Sequence, residues 1–170
     1  MSEKNPLQRE SEVILQLRAG LDPQGVPVLE QVEAWTLSRP GLYELMKTPL
    51  FLRNLAAGDV FRTVEVPPGG YQVVERGGKL AIRVFRREGL DALEEELTPE
   101  VEKLGGSLDR RSDRGLAYSL HVNVGFAAVE ELFDRVMGRF PDSVWYYGNV
   151  YDPLDGNTPL NWWLPFLNQT

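Results

Sequence analysis

The sequence predicts an α+β protein in which a small antiparallel β-sheet or partial barrel leads into a ferredoxin-like half. Three observations carry that expectation. Up to Gly78 the chain is a run of short apolar-polar alternations broken by Gly and Pro, as expected of strands joined by tight turns. Beyond Glu88, two segments place their apolar residues on one helical stripe each. From Lys79 onward the elements read strand, helix, strand, strand, helix, strand, the split β-α-β order. The expected division is a flexible terminus over 1–11, a β module over 12–78, the ferredoxin-like half over 79–151 and an apolar extension over 152–170.

Taken in order, the first ten residues are polar and expected to fray. Val13, Leu15 and Leu17 alternate with Glu12, Ile14, Gln16 and Arg18, which predicts a strand with a partly buried second face. Asp22-Pro23 and Gly25 mark a loop. Further strands are expected over 29–38, ending near Trp35, and over 41–47 after the Arg39-Pro40-Gly41 turn. Pro49 turns Thr48 away from helical geometry, and Leu50, Phe51, Leu52 and Leu55 are placed to plug the end of a small sheet. Gly58-Asp59 launches the next strand, with Val60, Val64 and Val66 on one face and Asp59 bonding local backbone amides. Two hairpins are expected. One turns through Pro67-Pro68-Gly69-Gly70; the other turns through Gly77-Gly78 and joins 71–75 to 80–85.

In the second half Leu90, Leu93, Leu97, Val101 and Leu104 form one stripe, stopped by Gly105. Thr98-Pro99-Glu100 is itself a helix-start signal, so one kinked helix or two short ones are expected. Residues 107–124 read as a hairpin. Its second arm puts Leu116, Tyr118, Leu120 and Val122 on one face, and Ala117, Ser119, His121 and Asn123 on a polar one. Phe126, Val129, Leu132, Phe133, Val136 and Met137 define a second helix, and 143–151 the last strand.

Composition narrows the function. In 170 residues, 42% hydrophobic content suffices for a packed core, and apolar runs are too short to cross a membrane. The opening Met1-to-Glu12 segment lacks a basic stretch followed by an apolar one, so no secretory leader is expected. The absence of cysteine removes disulfides, thiol nucleophiles and thiolate metal sites, and fits a cytoplasmic location. A net charge of −7 repels nucleic acid and anionic membranes and attracts a basic partner.

One arrangement of residues goes further. Trp35 ending a strand, Gly41 and Tyr43 in the next, Pro49 and Phe51, then Gly58-Asp59-Val60, Gly77 or Gly78, and Arg83-Val84 follow one another in a distinctive order. This arrangement resembles an uncharacterised bacterial family, domain of unknown function 4265, over roughly Val13 to Tyr147. That family has an asparagine shortly before the proline, where this chain has Lys47-Thr48. The resemblance implies a fold and carries no activity.

The residues themselves offer little for catalysis. His121 is the lone histidine, no Gly-x-Ser-x-Gly elbow exists, and neither a metal nor a cofactor is expected. Asp152, Asp155 and Asn157 lack the alternate-ligand spacing and closing glutamate of a calcium loop, so a turn is expected there. Glu65 and Glu75 read as an exposed pair facing across a hairpin. Two features point to binding. Glu88, Asp91, Glu94, Glu95, Glu96, Glu100 and Glu102 form an acidic surface with Lys103 as its one cation. Trp162, Trp163 and Phe166 make the tail too apolar to stand in water, so it covers its own domain or docks on a partner. The expectation is therefore a non-enzymatic binding protein, monomeric or homodimeric. Its most concrete form is an immunity or inhibitor protein that covers the active site of a basic toxin. The alternative is a small-ligand-sensing or regulatory module acting as a homodimer. A third reading, an enzyme using carboxylates or Ser119 and His121, ranks below both.

Overall fold

The protein, here a computed structural model, is described over residues 7–167. Strands β1 (Arg9–Leu21), β2 (Pro27–Leu37), β3 (Leu42–Leu45), β4 (Val60–Val64) and β5 (Gly70–Glu75) pair in chain order as an antiparallel meander. The sheet curls toward closure, because the Arg18 amide of β1 donates to the Gly69 carbonyl beside β5 at 2.7 Å. The second unit runs β6 (Lys79–Arg86), α1 (Leu90–Lys103), β7 (Ser107–Arg111), β8 (Gly115–His121), α2 (Phe126–Met137) and β9 (Ser143–Tyr147). Its strands lie in the order β7-β8-β6-β9 and every pair is antiparallel. The chain is α+β, as its sequence predicts.

Each helix forms where its apolar stripe meets that sheet. Leu90, Leu93, Leu97 and Val101 of α1 and Val129, Leu132, Phe133 and Val136 of α2 are buried against Leu80, Ile82, Val84, Leu116, Tyr118 and Leu120. Pro99 sits inside α1 without ending it, so the segment is one helix, and Gly105 follows it at a positive φ of 86°. The first sheet has a smaller core of Leu17, Val32, Ala34, Leu45 and Phe61, completed by Leu52 and Leu55. Those two leucines come from the loop between β3 and β4, so the loop is a structural plug.

Carboxylates pin that loop. Glu30 of β2 accepts from the amides of Leu50 (2.7 Å), Phe51 (2.9 Å) and Leu52 (3.0 Å). Asp109 of β7 accepts from the Thr48 amide at 2.8 Å, fastening the loop to the second sheet as well. Asp59 is fully buried and accepts from Ala56 at 3.0 Å, as local turn chemistry predicts. It also accepts from Gly77 (2.9 Å) and pairs with the Arg76 guanidinium (3.3 Å), which ties the start of β4 to the connection between β5 and β6. Burial outweighs these donors and pushes its carboxyl up to about 6.

Several expectations are corrected. Gly77-Gly78 makes no hairpin, since β5 and β6 belong to different sheets. Glycine is needed there for close packing: a Cβ on Gly77 would lie 2.6 Å from the Gly58 backbone, and one on Gly78 2.8 Å from the His121 ring. Glu65 and Glu75 do not face each other, because Glu75 pairs with Val60 and Glu65 lies beyond the end of β4. Val66 leaves the face of Val60 and is exposed. Of the terminus expected to be flexible over 1–11, residues 1–6 lie outside the described residues, while Arg9 already pairs with Leu37. The face of β8 read as polar is covered too, with Ala117 and Ser119 buried. Val122 to Val124 form a 3-10 turn that ends that strand early.

Candidate functional site

The acidic surface is largely paired within the fold. Asp91 and Glu94 of α1 both bind Arg111 of β7. Glu96 meets Arg139 at 3.1 Å, and Glu100 sits 3.0 Å from Lys103 and 3.6 Å from Arg135. Lys103 and then Arg135 hold the Glu100 carboxyl below its usual value. Glu88, Glu95 and Glu102 carry no ion pair among the described residues. Lys103 is the one cation of its own segment, but neighbouring elements supply three arginines. Counting charge along one helix misses partners brought in by topology.

The tail packs on its own domain. Trp163 is buried with its ring 5.1 Å from that of Phe126. The Trp162 indole donates to the Asn149 carbonyl at 2.7 Å, and the Arg76 guanidinium lies 5.5 Å from its ring. Phe166 meets His121 edge to face at 6.1 Å. Leu164 and Leu167 remain half exposed, and 168–170 lie outside the described residues.

The other chemical candidates are occupied locally. His121 Nδ1 accepts the Asn123 amide at 3.1 Å, while Ser119 Oγ lies 3.2 Å from Ser107 Oγ, so the two make no nucleophile–base hydrogen bond. Asp155 accepts from Asn157 and Thr158, and Asp152 from Leu154, as turn aspartates do. Among the described residues no group of His, Asp or Glu is arranged to hold a metal ion.

The arrangement with chemical potential is a cleft between the two units that sequence reasoning did not single out. It encloses about 790 Å³ and is lined by Phe51 and Arg53 of the plug loop, Arg83 of β6, Tyr146 of β9, and Gly148 and Tyr151 after it. Phe51, Phe85 and Tyr146 stack in a row, with centroids 6.0 and 5.9 Å apart and rings within 25° of parallel. Arg83 is 2% exposed and donates through Nη2 to the Leu52 carbonyl. Its Nε has no partner. A Cβ on Gly148 would lie 2.9 Å from that buried nitrogen, so glycine is needed for the chain to pack this close to the guanidinium.

The electrostatics of Arg83 are unusual. Buried charges are ordinarily paired, yet no carboxylate lies within ion-pair distance of it among the described residues. Glu30 acts on it at longer range only, with its oxygens committed to three loop amides and to Arg110 at 3.9 Å. Burial accordingly lowers the arginine's pKa. The signal available in the sequence was Leu-Ala-Ile-Arg-Val-Phe over 80–85, where one cation interrupts a strand apolar on both faces.

Comparison with known proteins places this architecture. A family described as a domain of unknown function (DUF4265) matches residues 30–139, the plug loop and its anchors included. The chain belongs to this family. No curated protein matches it. A hypothetical protein from Neisseria gonorrhoeae of known crystal structure is similar in fold, with a TM-score of 0.61 at 13% identity, covering 83% of this chain and 96% of that one. In the DUF4265 chain described here, no helix is long and apolar enough to cross a membrane among the described residues.

Proposed function

We propose that this DUF4265 protein is a non-enzymatic, small-ligand-binding module that holds its ligand in the cleft between the two units, in the bacterial cytoplasm. The observation that supports the reading is Arg83, a buried cation without a carboxylate partner at the floor of that cleft. Its volume falls within the few hundred to about 1,000 Å³ typical of small-molecule sites, which often lie at domain junctions. The strand order β7-β8-β6-β9 supports a ferredoxin-like classification of the second unit. Screening a panel of small metabolites by thermal unfolding tests the reading, with mass in solution separating monomer from homodimer. A ligand of the cleft raises the Tm by mass action, and the effect is lost when Arg53→Met alters the rim. A panel without any stabilising compound counts against the cleft.

The inhibitor reading draws its remaining support from Glu88, Glu95 and Glu102, the unpaired acids in and beside α1. Under it, neutralising these three slows association with a basic partner and flattens the salt dependence.

A further inference from the structure

We propose that the cleft between the two units takes a small planar monoanion, an aromatic carboxylate, with Arg83 receiving the carboxylate and the Phe51–Tyr146 wall receiving the ring. This rests on the cleft reading above and names the ligand class for the same site.

The anion follows from charge. Two arginines, Arg53 and Arg83, and one acid, Asp152, line the cleft, which leaves a net of +1. Asp152 is tied through Oδ1 to the Leu154 amide at 2.8 Å. Arg83 is 98% buried, by difference from its 2% exposure, and its Nε is unpartnered. A carboxylate delivered to that guanidinium supplies both the missing hydrogen-bond acceptor and the missing counter-charge. A single negative charge balances the lining. Phosphate, carrying about 1.5 to 2 negative charges at neutral pH, overshoots it.

The planar body follows from the wall. The rings of Phe51, Phe85 and Tyr146 are nearly parallel, and Phe51 and Tyr146 are each about half exposed, so the row offers aromatic surface to a further ring. Arg53 stands at the rim, its guanidinium 3.3 Å from the Pro153 carbonyl, where it draws an anion inward.

The test uses the full chain and three probes: naphthoate, its neutral isostere naphthamide, and inorganic phosphate, read by calorimetry and by Tyr and Trp fluorescence. Naphthoate is expected to bind about tenfold or more tighter than naphthamide, the difference carried by the charge-assisted pair. Arg83→Met abolishes that preference. Arg53→Met, a rim variant chosen because it leaves the buried cation and the fold alone, weakens naphthoate several-fold. Equal binding of naphthoate and naphthamide overturns the anion, and phosphate binding as tightly as naphthoate overturns the aromatic body. In both cases the cleft stands as a ligand site. If none of the three binds while the metabolite panel still yields an Arg53-dependent ligand, the aromatic carboxylate alone is refuted. If the panel is blank as well, both readings fall.

Discussion

The two sheets solve the same problem with different materials. The four-stranded sheet buries one face under α1 and α2 through a continuous apolar cluster, and none of its own strands or helices contributes a buried carboxylate. The five-stranded sheet has no helix, and its core is finished by a loop held in place by Glu30 and Asp59. One unit is stabilised by periodic sequence acting locally. The other depends on side chains bonding backbone amides that lie 18 to 22 residues away in the chain. The cleft arises at their junction, where the loop lies against the open face of the four-stranded sheet and leaves Tyr146 partly uncovered.

The strongest way to probe the apolar unit is Phe133→Ala. That ring is fully buried and packs on Tyr118 and Trp145, so its removal is expected to cost about 4 kcal/mol in a urea unfolding curve. The corresponding polar test is Glu30→Ala. Stranding three loop amides is expected to cost about 3 kcal/mol, with Glu30→Gln recovering part of the loss. A loss no larger than that of an exposed substitution would show that the plug loop holds itself, and the contrast between the units would collapse.

A smaller effect sharpens the comparison through pH. The Asp59 carboxyl rises from 3.8 to about 6 on folding, so the folded state keeps its proton more tightly than the unfolded chain. Folding therefore takes up a proton within that window, and this group's contribution to stability falls as pH rises through it. Comparing unfolding midpoints at the two ends of the window, wild type is expected to lose more than Asp59→Asn. Equal slopes would mean that Arg76 and the two amides, rather than burial, govern the group.

Legibility in the sequence divides along the same line. Helices α1 and α2, the β7–β8 hairpin and the β4–β5 turn were readable because each is written as a local period or a turn dipeptide. Arg76-Gly77-Gly78-Lys79 was misread because a tight turn and a close backbone crossing demand glycine equally; the Gly58 backbone on the other side of the contact decides between them. Glu30 shares the buried face of β2 with Val32 and Ala34, and nothing local in the sequence announces the three loop amides that it meets there. The acidic face of α1 was read without Arg111, Arg135 and Arg139, which reach it from other elements. Arg83 and Phe51 were visible as parts of a family pattern, and their meeting with Tyr146 in a cleft required the tertiary structure.

Asn149 carries a consequence for how this protein behaves when concentrated. β9 pairs with β6 over Ile82 to Arg86, leaving the Lys79–Ala81 stretch of β6 without a neighbouring strand on that side. The Asn149 side chain accepts from the Ala81 amide and donates to the Lys79 carbonyl, both at 2.9 Å, and the Gly148 amide takes the Ala81 carbonyl at 2.8 Å. An amide side chain thus occupies the sites that an incoming strand from another molecule would use, and the Trp162 indole fastens it from behind. Sheet edges are where native proteins polymerise by accident, and this stretch is closed by Asn149 and Gly148 together.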